Sequence, residues 1–172
     1  MQLSMYNITV PLFIKALSNM SPILDKAVLY AKEKKFDVSY LLQARLFPDQ
    51  FPFVRQIQIV SDIAKGAAAR LAGIEPPKME DNETTVEDLK KRIERTIDFL
   101  KTLRPEDIDG SESRRISIWF MPGKYLTGLE FLTEMALANF YFHITTAYSI
   151  LRHNGVNIGK TDYLGELSLK DE

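Results

Sequence analysis

Chemistry in this chain has to be built from few groups. The sequence holds two histidines and no cysteine. That excludes thiol nucleophiles, thiolate metal sites and disulfide frameworks, along with any site needing three histidines from one chain. His143 is the leading candidate. It follows Asn139 by four residues on the last long apolar stretch, so the two side chains share one helix face, one turn apart. Heptad-like counting places both in the stripe Leu129, Leu132, Ala136, Asn139, His143, Thr146, Ile150 and His153. An amide and an imidazole inside an apolar stripe need partners, because an unsatisfied buried polar group costs about 1–3 kcal/mol. Two readings fit. One is a metal or ligand site inside a bundle, with His143 as metal ligand or as acid/base. The other is a buried hydrogen-bond network that fixes helix register.

Further groups stand at helical spacings. Arg55, Gln58 and Asp62 share a face, with Lys65 continuing it. Turned inward, this face completes a site with His143; turned outward, it is a solvated face with an Asp62–Lys65 pair. His153 sits in a last helical turn, where it suits the negative helix end, and it lies about 15 Å along the helix from His143, too far to share one ion. Asp81 and Glu83 precede a helix start, which acidic residues complement; a cation site is the alternative. Tyr141 and Tyr148, seven apart, read as core or dimer interface, and Tyr141 is also a ligand-binding candidate. The chain has no G-x-S-x-G elbow, and Ala64-Lys65-Gly66-Ala67 is not a phosphate cradle.

The elements that must position these residues are helices. Apolar residues recur at three and four from 4 to 35, interrupted by Pro11 and Pro22. Ser21-Pro22 predicts a kink or a fresh helix start. A Pro-stiffened connection follows over 37–53, with a short helix at 39–44. A second strong helix covers 53–71, with Gly73 as its stop. After a linker at 74–82, Thr84-Thr85-Val86-Glu87 predicts a capping box pairing Thr84 with Glu87, and the third helix ends before Pro105. Alternation over 114–120, including Trp119, and a return at 124–126 predict a hairpin. The last helix covers about 127–152 and ends at Asn154-Gly155. The fold class is all-α, a four-helix bundle with a small β-hairpin before the last helix, forming one domain over 1–165 with a tail at 166–172.

The chain's 172 residues suit one compact domain, and 45% hydrophobic with 26% charged residues is ordinary for a globular protein. Twenty-two basic against 23 acidic residues argue against a nucleic-acid partner. No apolar run approaches a membrane span, and no basic leader stands at the start, so the expectation is a cytoplasmic protein.

Several stretches also resemble a known family. They are "LSMY" at 3–6, "LLQARLFPDQFPFVRQIQIVSDIAKGAAARLAG" at 41–73, "EDNETT" at 80–85 and "NFYFHITTAYSILRHNGVNIGKTDYLG" at 139–165. Together they resemble an uncharacterised domain-of-unknown-function family within the DinB/YfiT-like superfamily of four-helix bundles. The resemblance implies an up-down-down-up bundle, usually a homodimer, with a site where the second and last long helices approach. It also implies a divalent metal, commonly nickel or zinc, held by one histidine from the second helix and two at H-x-x-x-H spacing from the last. His143 matches the latter of those two, twelve residues before Gly155. Asn139 stands where the former would be, and Gln58 or Asp62 occupies the second-helix region. Such a set suits nickel or zinc poorly.

Three functional readings follow. The first is a small-molecule pocket with a degraded metal triad, anchored by Gln58, Asp62, Asn139, Tyr141 and His143. The second is a hydrolase or transferase using weakly held nickel, zinc or manganese on His143 and Asp62. The third is a non-catalytic dimeric structural or stress protein, with the dimer formed on the apolar faces of the first and last helices.

Overall fold

A computed structural model describes residues 4–118 and 120–171. Leu3 and Trp119, which figure in the expectations above, lie outside the described residues. In chain order the elements are α1 (Val10–Lys34), α2 (Ser39–Gln43), α3 (Phe53–Ala72), α4 (Val86–Lys101), α5 (Pro105–Ile108), β1 (Arg115–Ser117) and β2 (Tyr125–Thr127). A last long helix follows in three consecutive pieces: α6 (Gly128–Glu130), a π-helical stretch (Phe131–Ala136) and α7 (Leu137–His153). The short α8 (Lys160–Leu164) comes after it. The fold is therefore an all-α bundle of four long helices, with an antiparallel hairpin pairing Ile116 with Leu126 just before the last one.

α1 runs unbroken through Pro22, where the sequence predicts a kink or restart. Proline at 22 removes the donor that the Ser18 carbonyl would otherwise receive. Ser18 and Pro22 are both exposed, so water can satisfy that carbonyl and the helix continues. Three turns of buried apolar residues on either side (Phe13, Leu17, Met20, then Leu24, Ala27, Ala31) hold it against the bundle. α3 ends at Gly73 as its sequence predicts, with φ 73 in the left-handed region that glycine enters freely.

The capping box of α4 is shifted by one residue from the expectation. Thr85, not Thr84, accepts from the Asp88 amide at 3.1 Å, and the Asp88 carboxylate accepts from the Thr85 amide at 3.1 Å. Asp88 also accepts from the Thr84 amide, so Thr84 serves as a backbone donor. Thr85 takes the extended N-cap conformation, and both acids of the first turn, Glu87 and Asp88, face the positive helix end.

α3 lies at the centre of the packing, against α7 on one side and α4 on the other, while α1 packs on α4 and α8. α3 and α7 run antiparallel: Gln56 near the start of α3 meets His143, and residues further along α3 share a cleft with Asn139 and then Phe131. Phe13 and Phe140 join α1 to α7, with ring centroids 4.6 Å apart. The last helix begins hard against the 111–112 backbone. A Cβ on Gly128 would sit 2.0 Å from the Ser111 carbonyl oxygen, and the Leu129 amide donates to Glu112 at 3.0 Å. Beyond Gly155 the chain stays docked, because Lys26 pairs with Asp162 at 2.7 Å and Asn19 donates to the Tyr163 carbonyl at 3.0 Å. Among the described residues, no helix is long and apolar enough to cross a membrane.

Candidate functional site

The α3–α7 seam holds one polar bridge. Gln56, 2% exposed, donates its amide Nε2 to the Phe51 carbonyl at 3.0 Å, and its Oε1 lies 2.7 Å from His143 Nδ1. The first bond orients the amide. Its oxygen therefore faces the imidazole and can only accept, so Nδ1 carries the proton and Nε2 is left with the lone pair. Burial, with the Arg55 guanidinium adding to it, holds the His143 pKa below the ordinary histidine value. The imidazole is thus neutral near pH 7.

The residue that reaches His143 from α3 is Gln56, and the expected Gln58 and Asp62 turn the other way, towards α4. They do not complete a site with His143; the expected Asp62–Lys65 pair does form, with the Asp62 side chain 40% exposed. Gln58 and Lys65 are buried, and this surface packs on the 80–85 segment. Its centre is Arg92, whose side chain is 1% exposed. Arg92 pairs with Glu83 at 2.9 Å, Asp62 at 2.7 Å and Asp81 at 3.0 Å, and donates to the Glu80 carbonyl at 3.1 Å. Gln58 donates to Glu83 at 2.9 Å, Arg55 pairs with Asp81, and Lys65 reaches Asp62 at 3.0 Å. Three cations thus meet three carboxylates. The "EDNETT" segment, read from sequence as a helix-start complement or cation site, wraps an arginine.

On the outer side of the seam, a cleft of about 370 Å³ opens between α3 and the last helix. Ile59, Ile63, Ile118, Phe131 and Met135 supply apolar walls, and Asp62, Arg70, Ser117 and Asn139 supply polar atoms. The π-helical stretch forms part of the wall. Such segments interrupt regular helices mostly as single turns, frequently at functional sites. Of the five site candidates, Asp62 and Asn139 line this cleft. His143 and Gln58 lie outside its lining, although each is bonded to α3 or to its neighbours.

Tyr141 is drawn into a different place. It lines a second groove between α1 and α7, with Asn19, Tyr163 and Leu167, so it does not join His143. The expected stripe is corrected as well. The buried apolar residues of the last helix are Phe131, Leu132, Ala136, Phe140, Ile144, Ala147, Ile150 and Leu151, which puts Asn139 and His143 on the flank of the stripe. Leu132, Ala136 and Ile150 of the expected stripe are buried, whereas Leu129 is 45% exposed and Asn139 and His143 fall beside the row through Phe140 and Ile144.

The residues present do not fit a resident divalent metal. His143 offers one free ring nitrogen and Asn139 only an amide, while Asp62 Oδ1 is held by Arg92 and Lys65. A carboxylate already answered by two cations gains little from a third. Among the described residues, no three His, Cys, Asp or Glu side chains gather in a way that could hold an ion. The His143–Asp62 pairing proposed for nickel, zinc or manganese therefore finds no support in the donor set.

Comparison with known proteins bears on the family and the fold. The family described as a domain of unknown function, DUF1993, matches residues 5–164. The chain belongs to that family. A DinB family member from Shewanella denitrificans, solved by crystallography, is similar over 97% of this chain and 95% of its own at 47% identity, with a TM-score of 0.94. The DUF1993 chain thus has the DinB-like bundle that its sequence resembles. No curated protein matches it.

Sequence reasoning missed three parts of this region, and two had a signal. Gln56 falls on the same α3 row as Phe53, Val60 and Ala64, and Arg92 falls between Leu89 and Thr96 on the buried face of α4. A polar residue in a buried row needs a partner on the facing element. The acid-rich segment before α4 was the partner for Arg92. The π-helical stretch left no sequence signal.

Proposed function

We propose that this DUF1993 protein is a cytoplasmic small-molecule-binding protein that works without a bound metal and holds its ligand in the α3–α7 cleft. The observation that carries the reading is the cleft itself, an apolar concavity of about 370 Å³ into which Asp62 and Asn139 converge. That combination of size, apolar wall and few polar groups is typical of small-ligand sites. In this reading Asp62 and Asn139 orient the ligand. His143 bridges the helices through Gln56, and the Arg92 network fixes Asp62. The helix pair where the superfamily's site is expected serves, in this reading, an organic molecule in place of a metal. We further propose a homodimer, supported by exposed aromatic surface on α7, where Phe142 is 63% exposed; sedimentation of the purified chain tests it.

The cleft reading is tested by ligand-detected NMR with a fragment library on the wild-type chain and on Asn139→Trp. Asn139 is exposed, so an indole there fills the cleft without disturbing the core. Binders that disappear in Asn139→Trp support the proposal. Binders that persist unchanged would place the ligand elsewhere.

A further inference from the structure

The cleft lining contains two ionisable side chains among the described residues, Asp62 and Arg70, and they are not alike. Asp62 is answered twice, by Arg92 at 2.7 Å and Lys65 at 3.0 Å. Arg70 has no carboxylate partner among the described residues. Its one hydrogen bond is from Nη1 to the Gly66 carbonyl of its own helix, at 2.9 Å. A guanidinium has five N–H donors, so most of its capacity is unspent. The unanswered charge on the cleft is positive.

The position of that charge is built into α3. The Arg70 side chain folds back along the helix and lies over Gly66, where an added Cβ would sit 2.6 Å from Nη1. Glycine inside a helix is less favourable than alanine. Here it gives the guanidinium the space to lie along α3. Any larger residue at 66 would push the guanidinium away from where it lies. Ser117 and Asn139 add neutral hydrogen-bonding groups to the same lining, and the remaining walls are mainly apolar.

We infer that the cleft takes a carboxylic acid with an apolar body, its carboxylate paired with the Arg70 guanidinium and its hydrocarbon part laid against Ile59, Ile63 and Phe131. This rests on the proposed cleft function and names its ligand class. A single free guanidinium matches one carboxylate in the two-bond geometry that arginine favours. With Asp62 also on the lining, one negative charge is better tolerated than a phosphate dianion.

The test uses the full chain and a graded set of probes: straight-chain acids from butyrate to decanoate and 4-phenylbutyrate, each with its matched alcohol and amine. Affinities are measured by calorimetry and ligand-detected NMR. The expected result is an acid preferred about tenfold or more over its alcohol, the scale of a charge-assisted pair. Arg70→Gln, at an exposed position, should erase that preference. Gly66→Ala keeps the arginine but displaces it, and should reduce the preference several-fold. Asn139→Trp should abolish binding of every probe. Alcohols or amines that bind as well as the acids, and are blocked by Asn139→Trp, would overturn the acid inference and leave the cleft reading standing. An acid preference that survives Arg70→Gln would overturn the assignment to Arg70. If no probe binds at millimolar concentration, both readings fall.

Discussion

His143 and Gln56 meet across the α3–α7 seam, imidazole Nδ1 to amide Oε1 at 2.7 Å. They do so because the Phe51 carbonyl, two residues before α3, fixes which way the amide points. The histidine that sequence alone offers as a catalyst is thereby committed, through one nitrogen, to joining two helices. Its register-setting role and the cleft beside it are separate features of one interface. A residue two turns along α3, Asp62, lines the cleft that His143 does not.

Replacing His143 by alanine leaves the buried Gln56 oxygen without its donor. The expected cost is about 1–3 kcal/mol, read as a fall in the urea midpoint with unchanged slope. Binding in the cleft should be little affected. A His143→Ala chain as stable as wild type would show that the bridge contributes nothing.

The same histidine predicts a pH dependence. Its pKa is lowered in the folded chain from the usual 6.5, by burial first and then by the Arg55 charge. Above about pH 6.5 both states hold it neutral and its contribution is flat. As pH falls below that value the unfolded chain takes up the proton first. Stability therefore declines until the folded pKa is reached, and levels off beneath it. Comparing urea midpoints between pH 7.5 and 5.5 for wild type and His143→Gln isolates this contribution, and the variant should show the shallower decline.

Arg92 is the most consequential single residue of the polar core. Arg92→Met would leave Glu83, whose side chain is 8% exposed, without a cation, while Asp62 keeps Lys65 and Asp81 keeps Arg55. Breaking a buried pair by removing one partner typically costs about 3–5 kcal/mol. Arg92→Lys keeps the charge, but one ammonium cannot serve Glu83, Asp62 and the Glu80 carbonyl together, so it should fall between the two. Adding Glu83→Gln to Arg92→Met should recover part of the loss, which a double-mutant cycle measures.

The α4 cap offers a test of one-residue resolution. Thr85→Ala removes the side chain that accepts from Asp88 and should cost about 1 kcal/mol. Thr84→Ala keeps the backbone donor that Asp88 uses and should be close to neutral. The reverse order in thermal melts would restore the Thr84–Glu87 register.

That register error shows what sequence can and cannot convey. The helices, the Gly73 stop and the hairpin were legible because apolar periodicity, a left-handed stop and strict alternation are local. Both Thr84 and Thr85 satisfy the local rule for an N-cap, with Glu87 and Asp88 as their respective third-position acids, so the local rule does not choose between the two registers. The face of α3 was ambiguous for a similar reason. Arg55, Gln58, Asp62 and Lys65 look like a solvated row until Asp81, Glu83 and Arg92 arrive to cover it. Asn139 and His143 were placed on one face correctly, but on the wrong row relative to the core. Periodicity alone could not choose between the 139–143 row and the Phe140–Ile144 row, and the π-helical stretch before them left no mark in the sequence. The contact between Gly66 and Arg70 is a finding of the structure, since an i, i+4 spacing does not by itself bring a guanidinium over a glycine.

The donor set separates this chain from the three-histidine bundles its sequence resembles. Imidazole is supplied once here, and the nearest carboxylate on the cleft, Asp62, is already neutralised by Arg92 and Lys65. A divalent ion entering the cleft would have to displace those cations from a network that also holds Glu83 and Asp81. One imidazole and the Asn139 amide oxygen are a weak donor set to weigh against that loss. Protein purified without an affinity tag should therefore carry nickel, zinc and manganese well below one equivalent by elemental analysis. Its melting temperature should not move on treatment with EDTA. Stoichiometric metal that vanishes in His143→Ala, with a matching drop in melting temperature on chelation, would overturn the metal-free reading and return His143 to the role of ligand through its free Nε2.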